Sequence, residues 1–427
     1  MKLWDFLKRR MVLHGSKIAI ASEAISYEEL VGLIEKNACK FKRGRIYVIF
    51  GKTRFELALK ILECLAAGAV AVPVDNNYGT EYIDNINKII DKDKYCDIDI
   101  ALIMFTSGTT GLPKGVMLSD EALIENIKAI DSYFRVNEGQ KILISRPLVH
   151  IAVLTGEFFY GLYKGLQLDF YEEAFNPKRI FRFVTDNKIE IFCCTPTMLY
   201  HMYRYLNATK LTDIAVSGER LPKVLVDKLY THCKTLRFYN VYGLTENSPR
   251  AAALLPEEFF DYPGSIGKPI LNTEFMIEND ELLLKSKSLM SGYYKRPDLT
   301  AKKIRNNILY TGDIAEVNKQ GYYFIKGRKD NMIIRCGVNI FPEDLECALQ
   351  ELPEIQDCYV FGMQDLIYGE KIILQYVGSL SEQIVRTHLI KKIPAFMMPS
   401  EIQKVSQIEK TVSGKIKRKK SRASDDS

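Results

Sequence analysis

The sequence predicts an α/β protein with three parts: a parallel sheet carrying helices on its faces, a small antiparallel barrel or sheet, and a compact α+β unit. Three observations point there. Apolar strands and amphipathic helices alternate through the first part of the chain. From about residue 264 the runs turn short and alternate polar with apolar, as antiparallel strands do. After Gly327-Arg328-Lys329-Asp330 a last region has a helix and strands of its own.

Taken in order, Ser26-Tyr27-Glu28-Glu29 has capping-box spacing, and Val31, Ile34, Ala38 and Phe41 then recur at helical intervals. Residues 45–50 (RIYVIF) read as a buried strand. Residues 55–67 read as a helix with Phe55, Ala58, Leu59, Leu62 and Leu65 on one face, and residues 69–74 (AVAVPV) as the next strand. Strand, helix, strand in that order favours parallel pairing. The rhythm continues through residues 141–146, 177–187 and 189–194. Residues 274–278, 281–285 and 321–326 are the short antiparallel candidates. The last region offers a helix at 342–351 and strands near 358–361 and 372–377. A boundary is expected near Asp330, and the basic end of the chain reads as frayed and solvated, Lys417, Arg418, Lys419 and Lys420 included.

A chain of 427 residues with 47% hydrophobic content can bury a large core and exceeds one ordinary domain. The net charge of +6, from 59 basic and 53 acidic residues, gives no case for nucleic acid. Lys8, Arg9 and Arg10 interrupt the apolar start, which therefore does not read as a signal peptide. The longest uncharged apolar stretch, residues 64–74, is too short to span a bilayer. Nine cysteines without a Cys-x-x-Cys pair read as thiols in a reducing cytoplasm, and five histidines argue against an imidazole metal centre.

The strongest chemical signal is FTSGTTGLPKG, residues 105–115, which follows an apolar strand at 100–104 and precedes a helix beginning near Asp120. Glycines, hydroxyls and one lysine at this density suit a loop whose backbone N–H groups surround phosphate oxygens, with Lys114 adding charge. It is not the Walker pattern, because no Gly-Lys-Ser/Thr end is present.

That string resembles the phosphate loop of the adenylate-forming superfamily, which includes acyl-CoA synthetases, aryl-acid ligases, peptide-synthetase adenylation domains and firefly luciferase. SGERLP (217–222), NVYGLTE (240–246), GSIGKP (264–269), ELLLKSKSLMSGYY (281–294), YTGD (310–313), GRKDNMIIRCGVNIFPEDLE (327–346) and TVSGKIKRK (411–419) follow in the family's order. The resemblance is nearest to acyl-CoA synthetases. It implies a large N-terminal domain of stacked α/β subdomains with a small β-barrel-like subdomain, residues 1–329. A small mobile α+β C-terminal domain, residues 330–427, would follow.

The implied chemistry is the attack of a carboxylate on the α-phosphorus of ATP. An anion approaches a polyanion, so the protein must align the groups and neutralise charge. By resemblance, Thr106, Ser107, Gly108, Thr109, Thr110, Gly111 and Lys114 cradle phosphate. Glu246 binds magnesium, a hard cation suited to carboxylate oxygen. Thr245 bonds the α-phosphate, Tyr242 lies against the adenine, and Gly218 and Glu219 line the same pocket with Asn240 and Gly243. Asp313 accepts both ribose hydroxyls. Arg328 contacts ribose or phosphate, and Asp330 is the hinge. Lys415 bridges the carboxylate and the α-phosphate, a task suited to a compact charge on a long stem. After adenylation the small domain would rotate and bring the 335–339 segment to a thiol, with Gly337 admitting a pantetheine chain.

The acid is less legible. Pro147-Leu148-Val149-His150 resembles the segment entering the acyl pocket; His150 reads equally as a substrate contact or as a core histidine. A histidine where amino-acid activators place aspartate argues against an ammonium substrate. Ile151, Ala152, Val153, Leu154, Phe158, Phe159 and Tyr160 are candidate apolar lining for a fatty or aryl acid. Only residues 75–104 precede the phosphate loop after the PVD element, shorter than the family pattern, so a strand-helix unit is expected to be missing there. The implied activity is an AMP-forming acyl-CoA synthetase with ATP, magnesium and CoA. Its alternatives are a ligase that loads the phosphopantetheine of an acyl carrier protein, and a non-catalytic nucleotide-binding regulator.

Overall fold

The computed structural model describes residues 1–91, 99–106, 113–410, 416 and 418. Its described strands form four sheets. The nine-stranded sheet runs, in spatial order, through Lys268–Pro269, Arg250–Leu254, Arg237–Gly243, Asp213–Ser217, Ile191–Cys194, Lys141–Ile144, Gln167–Phe170, Ile18–Ile20 and Ile25–Ser26. From Arg237–Gly243 to Ile18–Ile20 every pairing is parallel, so those strands end at one common edge. In open sheets of this kind, ligands bind in the crevice outside the carboxyl ends.

A five-stranded sheet stacks beside it, with Ile46–Ile49, Val70–Pro73 and Ile100–Thr106 parallel and Lys114–Ser119 and Gly292–Tyr293 antiparallel. Between the two sheets lie Leu3–His14, Tyr27–Ala38, Arg54–Ala66 and Asp120–Tyr133, whose buried Leu7, Ile34, Ile61 and Ile127 join the largest hydrophobic cluster. The capping box at Ser26 forms as the spacing predicts: its hydroxyl accepts from Glu29 N–H while the Glu29 carboxylate accepts from Ser26 N–H. The segment 45–50 forms its strand at Ile46–Ile49, buried at its ends and half-buried at Tyr47 and Val48.

Beyond Lys268 the strands Thr273–Glu278, Glu281–Ser286, Ile304–Arg305, Ile308–Val317 and Tyr323–Arg328 form an antiparallel sheet. After a short turn at Lys329–Asn331 comes a sheet built on the long hairpin Ile355–Asp365 and Gly369–Gly378, with its own core of Ile333, Leu345, Val360, Leu374 and Leu389. An ion pair links this last region to the large sheet's loops: Arg220 Nη1 donates to Asp344 Oδ1 at 2.7 Å, both side chains about one-third exposed.

Candidate active site

The nine-stranded sheet delivers several of the sequence-derived residues to one edge. Strand Arg237–Gly243 ends at Tyr242 and Gly243, and the chain turns at once into a short 3₁₀ segment, Thr245–Asn247. Gly243 is required there, because a Cβ would sit 2.1 Å from the Pro249 carbonyl oxygen. Strand Asp213–Ser217 ends one register row away, Ser217 opposite Val241, and passes into Gly218 at φ +95°. Glu219 is exposed and accepts from the Thr197 hydroxyl at 2.6 Å. Asn240 is buried and donates to the Ser265 carbonyl at 2.6 Å, which ties the GSIGKP segment to the sheet.

The antiparallel sheet supplies the facing groups. Asp313 is buried in strand Ile308–Val317, where it pairs in register with Arg328. One carboxylate oxygen accepts from the Tyr242 hydroxyl and the other from Arg328 Nη1 at 2.7 Å. Burial first, and the Asp313 charge second, push the Tyr242 phenol far above its ordinary range, so it stays a donor. Glu246 receives the Tyr293 hydroxyl at 2.7 Å, and burial followed by Glu246 likewise raises that phenol.

Two partners had no role assigned from the sequence. Tyr293 is one. Lys303 is the other: its ammonium donates to the Thr311 carbonyl at 2.9 Å, in the electrostatic field of Glu246, Asp313, Arg328 and Asp330. Burial lowers its pKa, outweighing the nearby carboxylates. A cavity of about 470 Å³ opens here, lined by Lys303, Gly312, Lys329 and Asp330 among others.

Other expectations fare differently. Thr106 ends its strand and pairs in register with Lys114, the first residue of strand Lys114–Ser119. The phosphate-loop segment therefore spans a hairpin, and a strand separates it from the helix at Asp120–Tyr133. Ser107, Gly108, Thr109, Thr110 and Gly111 lie outside the described residues, as does Lys415. Asp330 is exposed in the turn joining the last two sheets. Gly337 has φ +77° beside Cys336 at φ +51°, a two-residue hairpin that demands positive φ at both positions, and a Cβ there would meet nothing within 4 Å.

His150 is partly buried at the start of the helix Ile151–Val153. The apolar lining expected after it is corrected: Phe158, Phe159 and Tyr160 are at most 1% exposed and belong to the main core, where the Tyr160 hydroxyl donates to the Phe134 carbonyl. Arg418 is also corrected. It is not a solvated charge, since its Nη2 donates to Glu346 Oε2 at 2.6 Å and its side chain is 21% exposed.

Among the described residues no helix is long and apolar enough to cross a membrane. The family model described as AMP-binding enzyme matches residues 88–294, and that described as AMP-binding enzyme C-terminal domain matches 344–415. A 2-succinylbenzoate–CoA ligase of Geobacillus sp. (strain WCH70) is 28% identical over 75% of this chain and 68% of its own length. A long-chain-fatty-acid–CoA ligase of Mycobacterium tuberculosis is 27% identical over 74% and 66%. The matched stretch thus spans about two thirds of these relatives. The o-succinylbenzoate CoA synthetase of Bacillus subtilis, solved with an acyl-adenylate intermediate, superposes with TM-score 0.87 at 21% identity, over 98% of this chain and 97% of that one.

Proposed function

The chain belongs to the AMP-binding enzyme family of adenylate-forming enzymes, and we propose that it converts a carboxylic acid to acyl-AMP and then to an acyl-CoA thioester. The two curated relatives are named for different acids but share CoA as acceptor. In the first step a carboxylate oxygen bonds to the α-phosphorus of ATP, the bond to the bridging oxygen breaks, and pyrophosphate leaves. In the second, the CoA thiol loses its proton and attacks the acyl carbon, and AMP leaves.

Asp313 carries the reading. It is a buried carboxylate at the crevice, held between Tyr242 and Arg328, with lone pairs to spare for two vicinal hydroxyls. A ribose bound there would place the base toward Tyr242 and the phosphates toward Thr245 and Lys114. The donor set at Glu246 fits magnesium: its partner Tyr293 is a neutral phenol, which brings no competing positive charge to a carboxylate oxygen suited to a hard cation. Bound there, magnesium supplies charge neutralisation at the phosphates. Lys303 adds a cation on the same side, and Lys415 is assigned the bridge between acid and α-phosphate.

Acid-dependent pyrophosphate exchange across a panel of carboxylic acids tests the first step, and thioester formation with CoA alone tests the second. Exchange with no acid would revive a nucleotide-binding regulator. Exchange without thioester, restored by a phosphopantetheinylated carrier protein, would favour the carrier-loading ligase.

A further inference from the structure

Beside the nucleotide crevice, at the same sheet edge, sits a charged cluster that the two half-reactions leave unused. Arg146 lies two residues past strand Lys141–Ile144, Glu157 in the π-helical turn Leu154–Phe159, and Arg250 at the start of strand Arg250–Leu254. They are 8%, 0% and 3% exposed. Arg146 Nη2 donates to Glu157 Oε1, and Nη1 donates to the Ser217 hydroxyl at 3.1 Å. Arg250 packs against Gly156, where a Cβ would come within 2.8 Å of its guanidinium, and its Nη2 lies 3.4 Å from the Ala152 carbonyl. The cluster thus touches Ser217, the entry to the 217–222 loop, and the segment that follows Glu246.

Its charges do not balance. Two guanidinium groups face one carboxylate, and among the described residues no ion pair reaches Arg250. The neighbouring thiols of Cys193 and Cys194 do not supply the missing charge, because burial raises both pKa values and keeps them neutral. Hydrogen bonding is also incomplete: Ser145 Oγ, Arg146 Nε, Thr155 Oγ1 and Glu157 Oε2 are buried without a partner. A buried, half-satisfied network with surplus positive charge is costly by itself. An incoming anion that accepts hydrogen bonds meets the surplus charge and the three spare donors, Ser145 Oγ, Arg146 Nε and Thr155 Oγ1.

We propose that Arg146, Glu157 and Arg250 form the far wall of the acyl site and select an acid bearing a second carboxylate, remote from the one adenylated. This rests on the adenylation reading. Arg250 supplies the unpaired cation, Arg146 and Thr155 the spare donors, and Glu157 holds Arg146 in place. The aromatic side chains that would have lined a purely apolar pocket, Phe158 and Phe159, are turned into the core.

The test is pyrophosphate exchange by the full chain with matched acids, each pair a monocarboxylic acid and the dicarboxylic acid of equal length. The diacid is expected to exceed its partner in kcat/KM by about 100-fold, the value of a charge-assisted contact. In Arg250→Met that ratio is expected to collapse toward one, mainly through a raised KM for the diacid. Monoacids turned over as well as or better than diacids by the unmodified protein would overturn this proposal and leave adenylation standing. A diacid preference unchanged in Arg250→Met would overturn it too. Exchange with no acid at all would remove the adenylation reading and this one with it.

Discussion

Replacing Arg418 by alanine is expected to separate the two half-reactions. Arg418 stands three residues beyond Lys415, and its guanidinium bonds Glu346 on the helix Pro342–Leu349 at 2.6 Å, with Glu343 at 3.9 Å. Its side chain is 21% exposed and that of Glu346 11%. Removing one member of a fully buried pair costs about 3–5 kcal/mol. Two things lower that figure here. Some solvent reaches the pair, and Glu346 keeps the Val360 N–H at 2.9 Å. Burial also raises the Glu346 pKa, which eases its neutralisation once the arginine is gone. About 2 kcal/mol is the resulting expectation for anchoring of the tail.

If that anchorage positions Lys415, about 2 kcal/mol corresponds to a roughly 30-fold loss in the step Lys415 serves. Acid-dependent pyrophosphate exchange should fall by that factor in Arg418→Ala, while thioester formation from supplied acyl-AMP and CoA stays within about threefold. Unchanged exchange, or an equal fall in both steps, would refute the reasoning, since the second pattern reports general destabilisation of the small domain.

Three further outcomes follow from the site. Lys415→Ala should abolish exchange yet retain thioester formation from acyl-AMP; equal loss of both would contradict a step-specific lysine. Asp313→Asn should raise the KM for ATP about tenfold, as one charge-assisted hydrogen bond is worth; a KM unaltered in initial-rate assays would remove Asp313 from nucleotide binding. Lys303 is a depressed group: the unfolded chain holds its proton up to the ordinary value of 10.5, while the folded chain releases it sooner. Stability from this residue therefore rises with pH between the lowered value and 10.5. Thermal melts of Lys303→Met should lack that rise, and melting curves that track the parent protein throughout the window would show the lysine to be uncoupled.

Much of the architecture could be read locally. Alternating apolar runs located the strands at 46–49, 70–73 and 191–194 to within two residues, because both faces or one face of each is buried and the pattern records it. Motif order brought Tyr242, Asp313 and Arg328 to one list before the fold placed their side chains in contact. What stayed hidden is non-local. Tyr293 meets Glu246 from 47 residues away, and no periodicity encodes such a partner. The strand Lys114–Ser119 (KGVMLS) has no local signature after the 105–115 string, because its pairing is with the strand before the phosphate segment. Arg418 was lost in a basic run, and Arg146 at the end of an apolar strand, since a sequence states a charge but not its burial.

The contact between Arg220 and Asp344 carries a last consequence. Exposed pairs of this kind hold surfaces together by no more than about 1 kcal/mol and weaken as salt is added. On the proposal that the last region turns about Asp330 between the half-reactions, added salt is expected to loosen this one contact and shift the balance between the two arrangements.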